Sequence, residues 1–211
     1  MDGELVLDGD HVRLEPLTMA HADGLLAAAA EDQSTYQWTR APAADPAGIV
    51  AFLDDIPNWP GRMAFATVWK DEDRVVGSTS FFVEHWSWPG HAGPPGAPDA
   101  VEIGGTWLAA SAQRTVVNTE AKLLMLTQAF DVWRVQRVAL KTDVRNARSR
   151  AAIERLGATF EGVLRQHMPA LGPGGGVRDS AMFSILPDEW PDVRRRLEDR
   201  LRAGGSASSP A

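Results

Sequence analysis

Apolar and polar residues alternate over His11 to Pro16 (HVRLEP), the period of a half-buried strand, and the period changes straight after it. Thr18 is placed as an N-cap, and the spacing from Met19 to Ala30 predicts a helix. Pro46 opens a second helical stretch through Ile56, closed by the turn region Pro57 to Gly61. Phe65 to Lys70 and Arg74 to Glu84 read as strands joined by a hairpin turn at Asp71 to Asp73. Ser87 to Ala100 (SWPGHAGPPGAPDA) is too rich in Pro and Gly for regular structure. It is expected as a surface loop between strands rather than a domain linker, because a strand that needs neighbours follows it.

That strand is Val101 to Leu108 (VEIGGTWL). Thr119 to Val132 then reads as a helix, apolar over most of its circumference at Leu123, Leu124, Met125, Leu126 and Phe130, and so covered on several sides. Val135 to Asp143 is a strand, and Asn146 to Leu156 is a helix stopped by Gly157. Thr159 to Met168 and Val177 to Leu186 are strands flanking the loop LGPGGG, and a last helix runs from about Asp188 to Arg202. Residues 1–203 are expected to form one mixed α/β domain, with 204–211 a disordered tail.

Composition narrows the chemistry. With 211 residues the chain suits one domain with a sizeable core, and 44% hydrophobic and 23% charged residues are ordinary for a globular protein. A net charge of −7 argues against general affinity for nucleic acid or an anionic membrane. The absence of cysteine excludes disulfides, thiolate nucleophiles and thiolate metal sites. No apolar run is long enough to span a bilayer and the acidic N-terminus lacks a signal-peptide core, so a cytoplasmic location is expected. His11, His21, His85 and His91 lack the helical spacing or carboxylate neighbours of a metal site, and no metal is expected. LGPGGG resembles a phosphate loop only superficially, since no helix follows it.

Two strand-to-helix junctions remain. In the first, SAQRTVVNTEAK carries Gln113, Arg114, Thr115 and Asn118 into the long helix. A helix's first turn leaves backbone N–H groups unpaired and carries partial positive charge, which together suit an anion. Physical chemistry alone leaves two readings open: an anion site, or Asn118 acting merely as an N-cap beside a solvated loop. In the second, TDVRNARSRAAIERLG places Asn146 as a cap and Ser149 in the first helical turn, with capping or solvation as the plainer role for the serine. Two such junctions in succession raise the odds of a ligand across the carboxyl ends of the strands.

The runs EIGGTWLAASAQRTVVNTEAKLLMLTQAF, VALKTDVRNARSRAAIERLGATFEGVLRQHM and VRDSAMFSIL resemble the GNAT acyltransferase superfamily, and within it the RimJ/RimL-like N-acetyltransferases. The likeness covers roughly His11 to Trp190. It implies a twisted, mostly antiparallel sheet splayed at a V-shaped cleft for coenzyme A and flanked by helices. It further implies transfer of acetyl from acetyl-CoA to a primary amine by direct attack. By this resemblance Gln113, Arg114, Thr115, Val116, Val117, Asn118 and Thr119 form the pyrophosphate loop, and Trp107 and Leu108 pair with the pantetheine arm. Asn146 matches the asparagine that contacts pantetheine near the thiol, and Ser149 a serine placed to protonate the departing thiolate.

The chain departs from that pattern in places. Val116 and Asn118 stand where the family loop has glycines, Ile153 where many members have an acid tyrosine, and Met168 where RimL-like enzymes can carry a glutamate base. The only tyrosine, Tyr36, is far away in sequence. Of the remaining bases Glu102 ranks first, because it starts the strand beside the cleft. His167, expected to face away, Asp179, expected as an ion-pair or hydrogen-bond partner, and Glu84 follow. Two rivals stay open: a non-catalytic acyl-CoA-binding module, and transfer of another acyl group such as succinyl, with Arg148 or Arg150 near the thioester. Tyr36 to Arg40 would wall the acceptor site, which suits a peptide or a small-molecule amine. Trp86 and Trp88 could roof a pocket or pack at a subunit contact, and a homodimer is compatible with such folds.

Overall fold

Eight strands form one sheet in the order β1-β2-β3-β4-β5-β6-β8-β7. They are β1 (Leu7–Asp8), β2 (Val12–Pro16), β3 (Arg62–Trp69), β4 (Arg74–Glu84), β5 (Ala100–Leu108), β6 (Arg137–Asp143), β7 (Thr159–Pro169) and β8 (Val177–Ile185). The helices are α1 (Ala22–Ala30), α2 (Pro46–Asp54), α3 (Val116–Thr127), α4 (Ala147–Leu156) and α5 (Trp190–Gly205). The computed structural model describes residues 5–86, 90, 93–170, 172 and 175–205. Trp88, His91 and 206–211 lie outside the described residues, as do parts of the 87–100 and LGPGGG loops.

Every neighbouring pair is antiparallel except β5 and β6. Those two run parallel and pair only at their starts, Ala100 with Arg137, Val101 with Val138 and Glu102 with Ala139. Beyond that point β5 stays with β4 up to Leu108, and β6 stays with β8 up to Asp143. The sheet therefore parts like a V with its vertex at Glu102 and Ala139.

A bulge in β5 decides what each side of the V presents. Ser80 pairs with Gly104 and Ser78 with Trp107, so β5 spends one residue more than β4 over this interval. The extra residue is accommodated at Gly105, whose φ of +59° suits glycine far better than a residue with a Cβ. After the bulge Thr106 meets Thr79 and Lys122 of α3, while Trp107 packs edge-on against Tyr36 and Phe52 on the opposite face. Strict alternation would have reversed those two side chains. The hydrophobic core is continuous across both faces of the sheet, with Phe65, Phe81, Phe183, Leu14, Met125 and Leu126 fully enclosed.

Most element boundaries fall within a few residues of the sequence expectation, but α3 does not start at Thr119. It begins at Val116, because the Thr115 hydroxyl accepts from the Val117 amide and serves as the N-cap. At its far end the chain continues as one π turn, Gln128–Val132. The apolar helix also buries two charged side chains, Glu120 and Lys122. Glu120 accepts from the amides of Asp10 (3.0 Å), His11 (2.7 Å) and Val12 (2.5 Å), thereby fastening the entry to β2 onto α3. The last helix extends through Gly205, past the expected boundary at residue 203.

Candidate active site

The open end of the V is framed by the two junctions singled out in the sequence. On the β5 side the loop turns into α3 with Arg114 at φ +64°, so a non-glycine residue takes a left-handed conformation. The turn keeps a positive φ and tolerates the strain at an arginine. Arg114 is exposed and has no hydrogen-bond or ion-pair partner among the described residues. Thr115 uses its side chain on the Val117 amide, and no side chain accepts from the amides of Val116 or Asn118. Asn118 is not the cap; it sits in the first turn, and its side chain has no partner among the described residues.

Gln113 has a different task from its neighbours. Its Nε2 donates to the Leu108 carbonyl at 2.9 Å and to Thr35 Oγ1 at 3.2 Å, and its Oε1 accepts from Arg148. The side chain ties the end of β5 to the segment after α1, and ties α4 to both across the mouth of the V. Leu108 O also accepts from Tyr36 Oη at 3.0 Å. The lone tyrosine, distant in sequence, therefore comes to the end of β5, where burial pushes its hydroxyl up to about 12. It is a neutral donor already committed to a carbonyl.

On the β6 side Asn146 caps α4, its Oδ1 accepting from the Ser149 amide at 3.0 Å. Its Nδ2 and the Ser149 hydroxyl have no partner among the described residues and remain available to a ligand. Ile153, in the place of an acid tyrosine, is buried core. Arg150 keeps a buried Nε without a hydrogen-bond partner.

Glu102 stands at the vertex. Its Oε2 is held by Lys141 Nζ at 2.7 Å, while Oε1 has no hydrogen-bond partner among the described residues. Down each arm of the V the strands rise about 3.3 Å per residue. The four steps from Ala139 to Asp143 thus separate Glu102 from the Asn146–Ser149 turn by roughly 13 Å of strand. Glu102 and Ser149 stand at opposite ends of the cleft rather than as a touching pair.

The face of the sheet that carries Trp107 is unusually polar. Asp143 Oδ1 and Oδ2 accept from Arg145 Nε (2.9 Å) and Nη2 (2.7 Å), and those hydrogen bonds hold its carboxyl below the usual range. Arg145 stacks on Trp38 at 4.3 Å, bridging the V from the β6 side to the segment after α1. The backbone of Gly172, in the β7–β8 loop, closes on the same segment; a Cβ there would lie 1.8 Å from the Gln37 carbonyl oxygen. His167 does not face away as alternation predicts. The β7–β8 register shifts between Leu164 and Met168, with Gln166 at φ +46°, and this turns the ring so that Nδ1 meets Ser180 Oγ at 3.0 Å. Loss of hydration, then the charges of Lys141 and Arg178, push its pKa down.

Asp179 is not ion-paired with Arg178; its Oδ1 accepts from the Gln166 amide at 2.7 Å. Glu84 accepts from Trp86 Nε1 at 3.3 Å on the exposed side of the 87–100 loop, whose base is fastened where the Trp86 amide donates to Asp99. Among the described residues no group of three or more His, Asp or Glu could hold a metal ion, and no helix is long and apolar enough to cross a membrane. Sequence reasoning passed over Arg62 and Arg178 on the polar face, because an isolated arginine in a strand has no local signature.

A sheet parted between two parallel strands, with a capped helix opening at the end of each, defines a splayed mixed α/β fold. The Acetyltransferase (GNAT) domain matches residues 11–159, and the chain belongs to that family. It is similar to a provisionally named acetyltransferase of T. thermophilus at 36% identity, with a TM-score of 0.78, over 95% of this chain and 99% of that one. It is also similar to a GCN5-related N-acetyltransferase of Brucella melitensis at 31% identity, with a TM-score of 0.77, over 94% of this chain and 86% of that one. Among curated proteins, YdaF of Bacillus subtilis (strain 168), named provisionally as a ribosomal N-acetyltransferase, is 34% identical over 86 residues. That match spans 41% of this chain and 45% of YdaF, so it covers about half the length of the curated relative.

Proposed function

We propose that the protein is an N-acetyltransferase that uses acetyl-CoA as co-substrate and a primary amine as acceptor. The observation that carries the reading is the free edge of β5 from Ile103 to Leu108, open where the sheet parts and leading straight to the N-terminus of α3. An extended amide-bearing arm can complete such an edge by backbone hydrogen bonds, and a pyrophosphate suits the first-turn amides.

Bound acetyl-CoA supplies an activated thioester, which the amine attacks directly to give an amide and the CoA thiol. The unpaired amides of Val116 and Asn118 and the uncommitted Arg114 guanidinium receive phosphate charge, with Thr119 and Val117 shaping the same turn. Gln113 shapes the mouth rather than offering a free donor. Backbone from Trp107 and Leu108 lines the cleft wall, and N–H groups on the open edge of β5 stabilise the oxyanion. Asn146 Nδ2 orients the arm, and the Ser149 hydroxyl delivers a proton to the departing sulfur. At the vertex Glu102 Oε1 accepts the amine proton through intervening water, while Lys141 holds Oε2 in place. Much of the acceleration comes from holding the two substrates together.

Calorimetry with CoA and acetyl-CoA, followed by CoA-thiol release across a panel of amines, tests this reading. Binding together with turnover of at least one amine supports it. Absence of CoA binding sinks it, and binding without amine-dependent thiol release favours a non-catalytic acyl-CoA module.

A further inference from the structure

Three carboxylates on or beside the polar face of the sheet have a cation each: Glu102 has Lys141 (2.7 Å), Asp143 has Arg145 (2.7 Å), and Asp55 has Arg40 (2.8 Å). Two arginines are left over. Arg62, on β3, gives its Nε to Ser80 Oγ at 3.0 Å, and Arg178, on β8, gives its Nε to Ser180 Oγ at 3.1 Å. Neither has an ion pair among the described residues, and each keeps its two terminal nitrogens uncommitted. Arg62 stands on the β5 side of the split, in the row that runs through Phe82 to Glu102, and Arg178 on the β8 side, two residues beyond Ser180, the partner of Asp143. Arg62 Nη2 lies 3.4 Å from where a Cβ on Gly105 would stand, and Arg178 is close enough to Glu102 and Asp143 to feel their charges.

Arg178 is only 5% exposed. A guanidinium buried to that degree with no carboxylate in contact is costly, because only the Ser180 hydroxyl replaces its lost hydration. Desolvation pushes both arginines below their ordinary range, outweighing the attraction of Asp55 for Arg62 and of Asp143 and Glu102 for Arg178, none of which is within ion-pair reach. A serine holding Nε fixes the plane of the group and leaves the far fork free, which is the geometry that grips an oxyanion with two parallel hydrogen bonds.

We infer that the acceptor is an amine that also carries an oxyanion, a carboxylate or a phosphate, and that Arg178, on the β8 side of the split, holds that group while the amine faces Glu102, with Arg62 adding positive charge from the β5 side. This rests on the acetyltransferase reading and narrows its substrate class. The arginines bind; they take no proton and form no bond. The surplus positive charge, unfavourable in the protein alone, is neutralised when an acidic amine arrives, and a neutral amine of the same shape gains nothing from the site.

The test uses the full-length protein and amines in matched pairs: amino acids and dipeptides beside their C-terminal amides, and phosphoethanolamine beside ethanolamine. CoA-thiol release should favour the anionic member by about tenfold or more in kcat/KM. The carboxylate and phosphate pairs show which oxyanion is preferred. Arg178→Met should erase that preference and yet raise Tm, since it removes an unneutralised buried charge; Arg178→Lys should retain part of the preference. A merely structural arginine would give the reverse, a lower Tm with the preference intact. Equal or better use of the neutral members overturns the inference even if the protein acetylates amines. Should no amine be turned over, glutarate and inorganic phosphate decide the matter without catalysis. One of them raises the Tm of the wild type and not of Arg178→Met, or the site does not exist.

Discussion

The hydroxyl of Tyr36 lies 3.0 Å from the carbonyl oxygen of Leu108, joining the segment after α1 to the last residue of β5. The same carbonyl accepts from Gln113 Nε2 at 2.9 Å, so it is not orphaned if the tyrosine loses its hydroxyl. Tyr36→Phe should therefore cost only about 1 kcal/mol in urea unfolding. It should also leave the pH profile of turnover unchanged between pH 6 and about 9, because the phenol stays neutral up to about 12. Loss of an acidic or basic limb from that profile would restore Tyr36 as a proton donor.

Lys122 is buried in α3 with only Thr106 Oγ1 (2.8 Å) and Thr79 Oγ1 (3.1 Å) as partners, and desolvation pulls its pKa down to about 7. Between pH 7 and the ordinary lysine value of 10.5 the unfolded chain holds a proton that the folded chain does not. Stability contributed by this group therefore rises with pH across that window and is lowest at or below pH 7. Lys122→Met should be about 1–3 kcal/mol more stable than the wild type at pH 7. The two threonines already bond each other at 2.8 Å, so the substitution strands neither. That advantage should shrink toward pH 10; urea midpoints at the two pH values show whether it does.

Glu120 is the opposite case, a buried carboxylate with three backbone donors. Replacing it by alanine leaves the amides of Asp10, His11 and Val12 without their acceptor and should destabilise by about 3–5 kcal/mol. Glu120→Gln should recover only part, because its amide nitrogen offers a donor where donors already converge. A Tm close to the wild type for either variant would refute the fastening role.

At the mouth of the cleft, Arg114→Gly separates strain from binding. Relief of the left-handed arginine is worth about 1 kcal/mol, offset by the extra freedom of glycine in the unfolded chain. Stability should hardly change, while CoA affinity falls about tenfold with the loss of one charge-assisted contact. Calorimetry that finds affinity intact would remove Arg114 from the phosphate site.

Asn146→Ala removes the cap on the Ser149 amide and should cost about 1 kcal/mol of stability. Ser149→Ala touches no hydrogen bond of the side chain and should leave Tm alone. Both should reduce kcat more than they weaken CoA binding. A Ser149→Ala enzyme with normal kcat would exclude the hydroxyl as the acid.

The order of strands and helices was legible because each segment carries its own period and punctuation, from the HVRLEP alternation to the Gly157 stop. So was the pairing of two strand-helix junctions, since Asn146 has the sequence of a cap and acts as one. The start of α3 was misplaced because both Thr115 and Asn118 are cap-forming residues; the choice was made by the Thr115 hydroxyl reaching Val117, a three-dimensional fact. The orientation of His167 was missed because period-2 reasoning fails across a bulge, and no residue in LRQHMP announces one. Glu120, Arg62 and Arg178 were invisible for a more general reason. Their significance lies in what they touch or fail to touch, and those neighbours are far away in the chain.

The extra residue at Gly105 gives β5 a change of parity halfway along its length. Upstream of it, even-numbered positions such as Glu102 and Gly104 look toward the polar face; downstream, that face belongs to Trp107, an odd one. One strand can thereby send a carboxylate to the vertex and an indole to the wall on the same side, while a threonine drops to the helix beneath. Deleting Gly105 would leave those facings in place, because Thr106 would then follow Gly104 in ordinary alternation; keeping the residue and flattening the bulge would turn the floor of the cleft inside out.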